Sequence, residues 1–193
     1  MNSKERVRMA MRREKPDRVP AAFEAVASVT EKLLKHYGYD DIDQLYERYD
    51  IDIIPISPTY TGDKNVTWVD ENGQKRSRGY GAYFQQHSCG AVEPVIPLLI
   101  ECGVDALEPV QKVAGLEPEH LAEAYGDHMT FHGGIDTQGL LPNGTPEQVQ
   151  AETRHFMTTL GQNGGYILMA SQGFEGDVPI ENIEAIYSVD RTL

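Results

Sequence analysis

Three stretches decide the fold: residues 104–109 read VDALEP, residues 129–135 read MTFHGGI, and residues 165–171 read GYILMAS. Each is a short, largely apolar run that reaches Gly, Pro or polar residues toward its C-terminal end, which is typical of a strand buried on both faces. Helical patterns over 118–125 and 146–160 separate them. Because parallel strands need helical crossovers, this alternation predicts a parallel sheet.

The same pattern extends toward the start of the chain. Residues 19–23, 51–57 and 83–88 are further predicted strands. Capping signals predict where the helices begin, and glycine or proline predicts where they end. The capping signals are the boxes Ser28–Glu31 and Thr145–Gln148, and Asp41 before a third helix. Two more helices are predicted from apolar residues at helical spacing, at 95–102 and 180–189. Asn72-Gly73 predicts a hairpin turn between 66–69 and 75–78.

Six strands in this order predict an α/β fold, a TIM-like (β/α) barrel that is incomplete, with about six of eight strands. The chain of 193 residues is short for a closed barrel, which typically takes about 250. An open doubly wound sheet is the alternative, but no glycine-rich fingerprint follows the first strand. We expect a single domain over 1–193, with an N-terminal block 1–84 and a C-terminal βα block 85–193.

Composition narrows the function classes. A formal net charge of -13 disfavours nucleic acid and anionic membrane surfaces, so we expect a small-molecule substrate. No apolar window is long enough for a membrane helix, and no signal peptide is evident, so we expect a cytoplasmic protein. The two cysteines, Cys89 and Cys102, are too few for a disulfide framework.

His87 and Cys89 form the sharpest candidate site. They lie two residues apart on a predicted strand, so both side chains leave the same face and can reach one cation, with Gly90 permitting a sharp exit. Imidazole and thiolate suit Zn²⁺. The competing interpretation is a buried histidine and a small apolar cysteine in the core.

Several separate blocks carry a family resemblance. They are residues 3–7 (SKERV), 15–20 (KPDRVP), 87–90 (HSCG), 101–111 (ECGVDALEPVQ), 133–136 (GGID), 141–149 (LPNGTPEQV), 164–168 (GGYIL) and 177–183 (DVPIENI). In order and spacing they resemble the uroporphyrinogen decarboxylase (URO-D) superfamily, in particular its methyltransferase-like branch. The resemblance implies a (β/α)8 barrel with its site at the carboxyl ends of the strands.

The resemblance also implies that two βα units, the third and fourth, are missing before His87. An opened barrel leaves unpaired backbone edges, so the chain either forms a homodimer or is a fragment of a deleted gene. In the methyltransferases, Zn²⁺ activates a thiol acceptor for a methyl group carried on a corrinoid, and a corrinoid protein is then the implied partner.

The third zinc ligand is the difficulty. The family's last strand often ends in cysteine, whereas this sequence has Ser171-Gln172 there. The possible substitutes are Glu108, His132 and Asp136, although for Glu108 a solvated loop carboxylate, and for His132 a core histidine, is the simpler interpretation. Cys102 is expected outside the barrel, at a helix end.

The remaining candidates lie at strand ends, where barrel enzymes concentrate their chemistry. Gly133 and Gly134 are candidate cofactor-binding residues because their backbone allows close approach. Asp136 and Glu108 are the candidate catalytic residues; for Asp136 the alternative is a turn in which its carboxylate bonds the backbone.

The leading functional hypothesis is an enzyme, a zinc-assisted methyltransferase acting between a corrinoid and a thiol or similar acceptor. The first alternative is uroporphyrinogen decarboxylation in porphyrin and haem biosynthesis, which requires arginines at the barrel mouth. The second is a non-catalytic barrel remnant.

Overall fold

The computed structural model describes residues 1–55, 68–69, 75–76 and 83–192. Strands β1 (Trp68–Val69) and β2 (Lys75–Arg76) pair antiparallel, as the hairpin prediction requires. The Asn72-Gly73 turn itself, and the end of the predicted strand 51–57, lie outside the described residues.

The main sheet is parallel. Strands β3 (Gln85–His87), β4 (Ala106–Glu108), β5 (Thr130–His132) and β6 (Tyr166–Ile167) lie in that order.

Two parallel bridges extend this sheet beyond β6. Ala21 pairs with Leu168, and Ala22 pairs with Ile53. The first predicted strand therefore lies beside the last one, as in a barrel, and six strand segments follow one another. Within the described ranges the sheet stays open between Ile53 and β3. The fold is α/β and the barrel is incomplete, which confirms the predicted class.

Eight α-helices and two 3-10 turns accompany the strands in the described chain. They are α1 (Ser3–Met11), α2 (Ala27–Tyr37), α3 (Ile42–Arg48), α4 (Ile96–Glu101), α5 (Pro118–Tyr125), α6 (Leu140–Asn143), α7 (Pro146–Leu160) and α8 (Ile180–Tyr187), with 3-10 turns at Glu93–Val95 and Lys112–Ala114. Within the ranges given above, none of them is both long and apolar enough to cross a membrane.

Two of the predicted helix caps are confirmed and one is wrong. Asp41 accepts from Asp43 N at 2.9 Å and Thr145 accepts from Gln148 N at 3.4 Å, and each forms a capping box with the Gln at the third helical position. Ser28 does not cap α2, because the helix has already begun at Ala27. The preceding residues pair with the chain after β6, where Val26 N donates to Phe174 O at 3.0 Å. The helix therefore starts directly from the end of the strand.

The core is built on the sheet from both blocks of the chain. Large side chains such as Phe131, Phe156 and Tyr166 are fully buried in one apolar cluster. A second cluster joins Met11 of α1 to residues of three strands, which are Ala22, Ala106, Ile167 and Met169. Because Thr130 Oγ1 also donates to Ala10 O at 3.2 Å, α1 covers the amino ends of these strands. The division into blocks 1–84 and 85–193 stays a prediction.

A buried carboxylate fixes the amino end of the sheet. The Asp52 side chain has no exposed surface, and it accepts from Arg6 at 2.6 Å and Arg18 at 2.7 Å. It also accepts from the backbone N–H of Ala21 at 3.0 Å. Arg6 in turn binds Asp17, whose pKa it holds well below the usual range. This cluster ties α1 to the first two strand segments.

Candidate functional site

The strand register brings four polar side chains to one face near the carboxyl ends of the strands. His87 pairs with Glu108 across β3 and β4, and Ala106 pairs with Thr130 across β4 and β5. Because side chains two residues apart share a face, Gln85 and His87 project together, and Glu108 lies level with His132. Of these four residues, the sequence analysis named His87, Glu108 and His132 as candidates.

His87 and Cys89 come together as predicted, although β3 ends at His87 and Cys89 lies beyond it. Cys89 Sγ lies 3.4 Å from His87 Nε2. A tetrahedral zinc ion with ligand bonds of about 2.3 Å to sulfur and about 2.0 Å to nitrogen would separate these atoms by about 3.5 Å. Both side chains are exposed, the His87 side chain by 56%. The pair therefore fits two positions of a zinc site.

A complete protein ligand set is not formed by these residues. Within the described part of the chain, no group of three His, Cys, Asp or Glu side chains is arranged to hold a metal ion. Gln172, at the predicted place of the third ligand, lies with its Nε2 at 3.0 Å from Cys89 Sγ. The amide of Gln172, from the segment that follows β6, thus contacts the cysteine.

Glu108 is buried, so the interpretation of it as a solvated loop carboxylate is wrong. Its Oε2 accepts from Gln85 Nε2 and lies 3.7 Å from His87 Nδ1. Burial raises the pKa of Glu108, and the positive charge of His87 opposes that rise, while Glu24 at the end of the first strand segment adds to it. A carboxylate is buried here because the register supplies Gln85 as its partner.

His132 is also buried, beside Glu108. Its Nδ1 lies 3.0 Å from Gln85 Oε1 and 3.9 Å from Glu108 Oε2, so it is not placed as a ligand with His87 and Cys89. Burial, and to a smaller degree His87, lowers the pKa of His132 to about 4. His132 Nε2 is buried and has no hydrogen-bond partner in the described structure.

Sequence reasoning missed Gln85, which joins Glu108 to His132. The signal was present, because Gln85 precedes His87 by two residues on the same strand and therefore shares its face. Nothing in the sequence alone shows that its amide reaches over β4 to β5. Gln85 is thus the link that turns separate strand-end residues into one hydrogen-bonded group.

The residues that follow Asp136 form a tight turn ahead of α6. The Asp136 carboxylate accepts from the backbone N–H groups of Gln138 at 2.8 Å, Gly139 at 3.0 Å and Leu140 at 3.1 Å. Its oxygens are therefore engaged in holding the loop before α6, which is the alternative given for it above. A catalytic role for Asp136 stays a prediction.

Gly133 and Gly134 are required by the packing of the segment that links β5 to this turn. Their φ angles are +79° and +134°, and a Cβ on Gly133 would lie 2.8 Å from Ala170 O. The glycines let β5 end close against the segment after β6, and binding of a cofactor to them stays a prediction. Cys102 lies exposed at the end of α4, away from this turn, where it was expected.

We expect Gly134→Ala to destabilise the fold by about 2 kcal/mol, because the new Cβ would lie 2.3 Å from Phe156 Cε1 at a positive φ. Urea unfolding measures the change. Gly176→Ala is the matched control, since no atom lies within 4 Å of its Cβ position. Equal effects of the two substitutions would contradict the packing role of Gly134.

We expect the free energy of unfolding to fall as the pH drops from about 6.5 to about 4, by on the order of 3 kcal/mol from His132. Its pKa is lowered in the folded state, so the unfolded chain binds the proton first in this window. Urea titrations at several pH values measure the slope. His132→Asn should reduce it, whereas the exposed-residue control His128→Asn should not; identical slopes in all three proteins would refute the assignment.

We compared the chain with family models, curated proteins and solved structures. The family model described as uroporphyrinogen decarboxylase (URO-D) matches residues 73–192, more than half of the chain. The curated methylated-thiol–coenzyme M methyltransferase of Methanosarcina mazei is 29% identical over 103 residues, which cover 51% of this chain and 25% of that protein.

A solved structure, a methyltransferase from Methanosarcina mazei, has 21% sequence identity and a TM-score of 0.45, covering 55% of this chain and 30% of the other. The chain thus matches only a quarter to a third of the length of these two proteins. The family match itself extends from the β2 region through α8 and includes every residue of the site just described except Glu24. The chain belongs to the uroporphyrinogen decarboxylase (URO-D) family.

Proposed function

We propose that this chain is a methyltransferase that moves a methyl group between a corrinoid and a thiol or similar small acceptor, with Zn²⁺ held by His87 and Cys89. The observation that carries the proposal is the exposed His87–Cys89 pair, 3.4 Å apart, set above a buried carboxylate at the carboxyl edge of a parallel sheet. The similarity to a curated methyltransferase supports the reaction class.

In this proposal His87, Cys89 and Glu108 have different roles, which follow from their positions. His87 turns Nε2 toward Cys89 and Nδ1 toward Glu108, so a carboxylate lies behind the imidazole in the manner that orients histidine ligands. Zn²⁺ held by this pair would lower the pKa of a coordinated thiol and so favour the thiolate. Glu108 Oε2, 3.7 Å from His87 Nδ1, is the carboxylate oxygen placed to accept a proton there.

The corrinoid and its carrier protein belong to this proposal only through the family. Nothing in the described side chains marks where either would dock. Among the residues that the structure describes, the two edges of the sheet lie beside exposed apolar side chains, Ile54 and Phe84, which supports self-association into a homodimer as a further part of the proposal.

Decarboxylation is not proposed. The buried guanidinium groups of Arg6 and Arg191 lie with Arg18 around Asp50 and Asp52, at the amino ends of the strands. The described carboxyl edge instead presents Glu24 and Glu108, and carboxylates repel a substrate that is itself rich in carboxylates.

We expect about one zinc ion per chain in a monodisperse preparation, and its loss in both His87→Ala and Cys89→Ser. Elemental analysis after gel filtration measures the metal. Cys102→Ser is the matched control, because Cys102 is exposed at the end of α4 and should leave the zinc content unchanged. A folded, zinc-free wild type would overturn the metal part of the proposal.

Methyl transfer is then tested with methylcobalamin and ethanethiol, followed by the absorbance of the corrinoid. We expect the rate to fall by about 100-fold in His87→Ala and Cys89→Ser and to persist in Cys102→Ser. A folded, zinc-loaded wild type that transfers no methyl group would overturn the proposed activity and favour the barrel remnant.

A further inference from the structure

An open cavity lies beside Cys89 at the carboxyl edge of the sheet. It has a volume of about 460 Å³ and is formed by the turn after β5 and the segment after β6. Gln172 lines this cavity and also donates from Nε2 to Cys89 Sγ at 3.0 Å. A single side chain therefore connects the cavity to the His87–Cys89 pair, and a ligand held in the cavity would lie next to the cysteine.

A second contact ties the cavity to the buried carboxylate of the site. Gly173 lines the cavity, and a Cβ on Gly173 would lie 3.3 Å from Glu24 Cγ. Burial is the main cause of the raised pKa of Glu108, and the charge of Glu24 adds to it. Glu24 is thus close to both, so the cavity and Glu108 belong to one region of the carboxyl edge.

The charges around the cavity determine which ligand it favours. Glu175 and Asp177 line it and are exposed, and Glu24 adds a third carboxylate beside it. Its described lining contains no Lys, Arg or His, and Lys32 Nζ contacts Val178 O at 3.5 Å, outside that lining. Each exposed carboxylate acts weakly in water, but charges of one sign around a cavity add together. The cavity therefore attracts cations and repels anions.

The neutral polar groups of the cavity suit a hydrogen-bond donor. The nitrogen of the Gln172 amide is engaged with Cys89, so the amide oxygen is the atom left to accept from a ligand. Thr137 Oγ1, also in the lining, lies 3.0 Å from Ser171 Oγ, which holds the hydroxyl in place. An ammonium group has three donors and no acceptor, so it matches amide and carboxylate oxygens in both charge and hydrogen bonding.

We propose that this cavity binds the ammonium end of a small cationic substrate whose sulfur lies at the His87–Cys89 pair, and that Glu175 and Asp177 determine this specificity. The inference rests on the proposed function and deepens it, because it assigns the methyl acceptor to the class of short aminothiols. The charged end takes part only in binding, so the cavity can be tested with molecules that carry no thiol.

The test uses three methyl thioethers that differ only in their end group: 2-(methylthio)ethylamine, 2-(methylthio)ethanol and 3-(methylthio)propionate. They are cationic, neutral and anionic at neutral pH. Binding to the ¹⁵N-labelled full-length protein is followed by the backbone amide signals of Gly173 and Gly176. We expect the cation to bind about fivefold more tightly than the neutral thioether and the anion to bind most weakly. Added NaCl should reduce the preference, since salt screens exposed charges.

Glu175→Gln and Asp177→Asn should each weaken binding of the cation about twofold and leave the neutral thioether unaffected, and the double variant should lose most of the preference. Glu123→Gln is the matched control, because it removes the same charge from an exposed position of α5 that does not line the cavity. Equal affinities for the three thioethers, unchanged signals of Gly173 and Gly176, an unchanged preference in the double variant, or an equal loss in Glu123→Gln would overturn the inference.

These readouts need no turnover, so they separate the two claims. Cation-selective binding in the cavity together with no methyl transfer would overturn the proposed function alone. Methyl transfer to ethanethiol without any preference for the cationic thioether would overturn this inference alone.

Discussion

The polar end of this sheet depends on one hydrogen-bonded bridge, the Gln85 amide between Glu108 and His132. A buried carboxylate and a buried imidazole are both costly in an apolar interior unless each is paired. Gln85 supplies a donor to one and an acceptor to the other, and the parallel register of β3, β4 and β5 brings the three residues within reach. The exposed His87 is then backed by a fixed carboxylate.

Charge is distributed differently at the two ends of the strands. At the amino end, Asp52 is satisfied by Arg6, Arg18 and a backbone N–H, whereas Nη1 of the neighbouring Arg191 is buried without a hydrogen-bond partner in the described structure. At the carboxyl end, His132 Nε2 stays unpaired and the His87–Cys89 pair is exposed in the described structure. The exposed His87–Cys89 pair is therefore the part of the described structure that is open to a ligand.

Sequence patterns predicted the features that depend on neighbouring residues. The bounds of α5 and α7 follow from a proline in the first turn and glycine after the last. The capping role of Ser28 was predicted wrongly, because the pairing of the preceding strand end with Phe174 starts the helix earlier. Such pairing joins residues about 150 positions apart, and local propensity carries no information about it.

In the candidate site, too, local spacing could be interpreted from the sequence, whereas contacts between strands could not. His87 and Cys89 were identifiable because their spacing alone places them together. The burial of Glu108 was not, because it depends on a partner two residues before His87 and on the register that brings this partner opposite. Asp136 was given two interpretations, and the choice between them requires the position of three backbone N–H groups.

The short spacing of His87 and Cys89 has a thermodynamic consequence for metal loading. Both donors come from one tripeptide, so they remain near each other even when the chain is unfolded. A ligand that binds folded and unfolded chains alike adds little to the folding equilibrium. Metal captured by this chelate would therefore stabilise the sheet much less than an ion shared between distant strands, and apoprotein should fold without waiting for it.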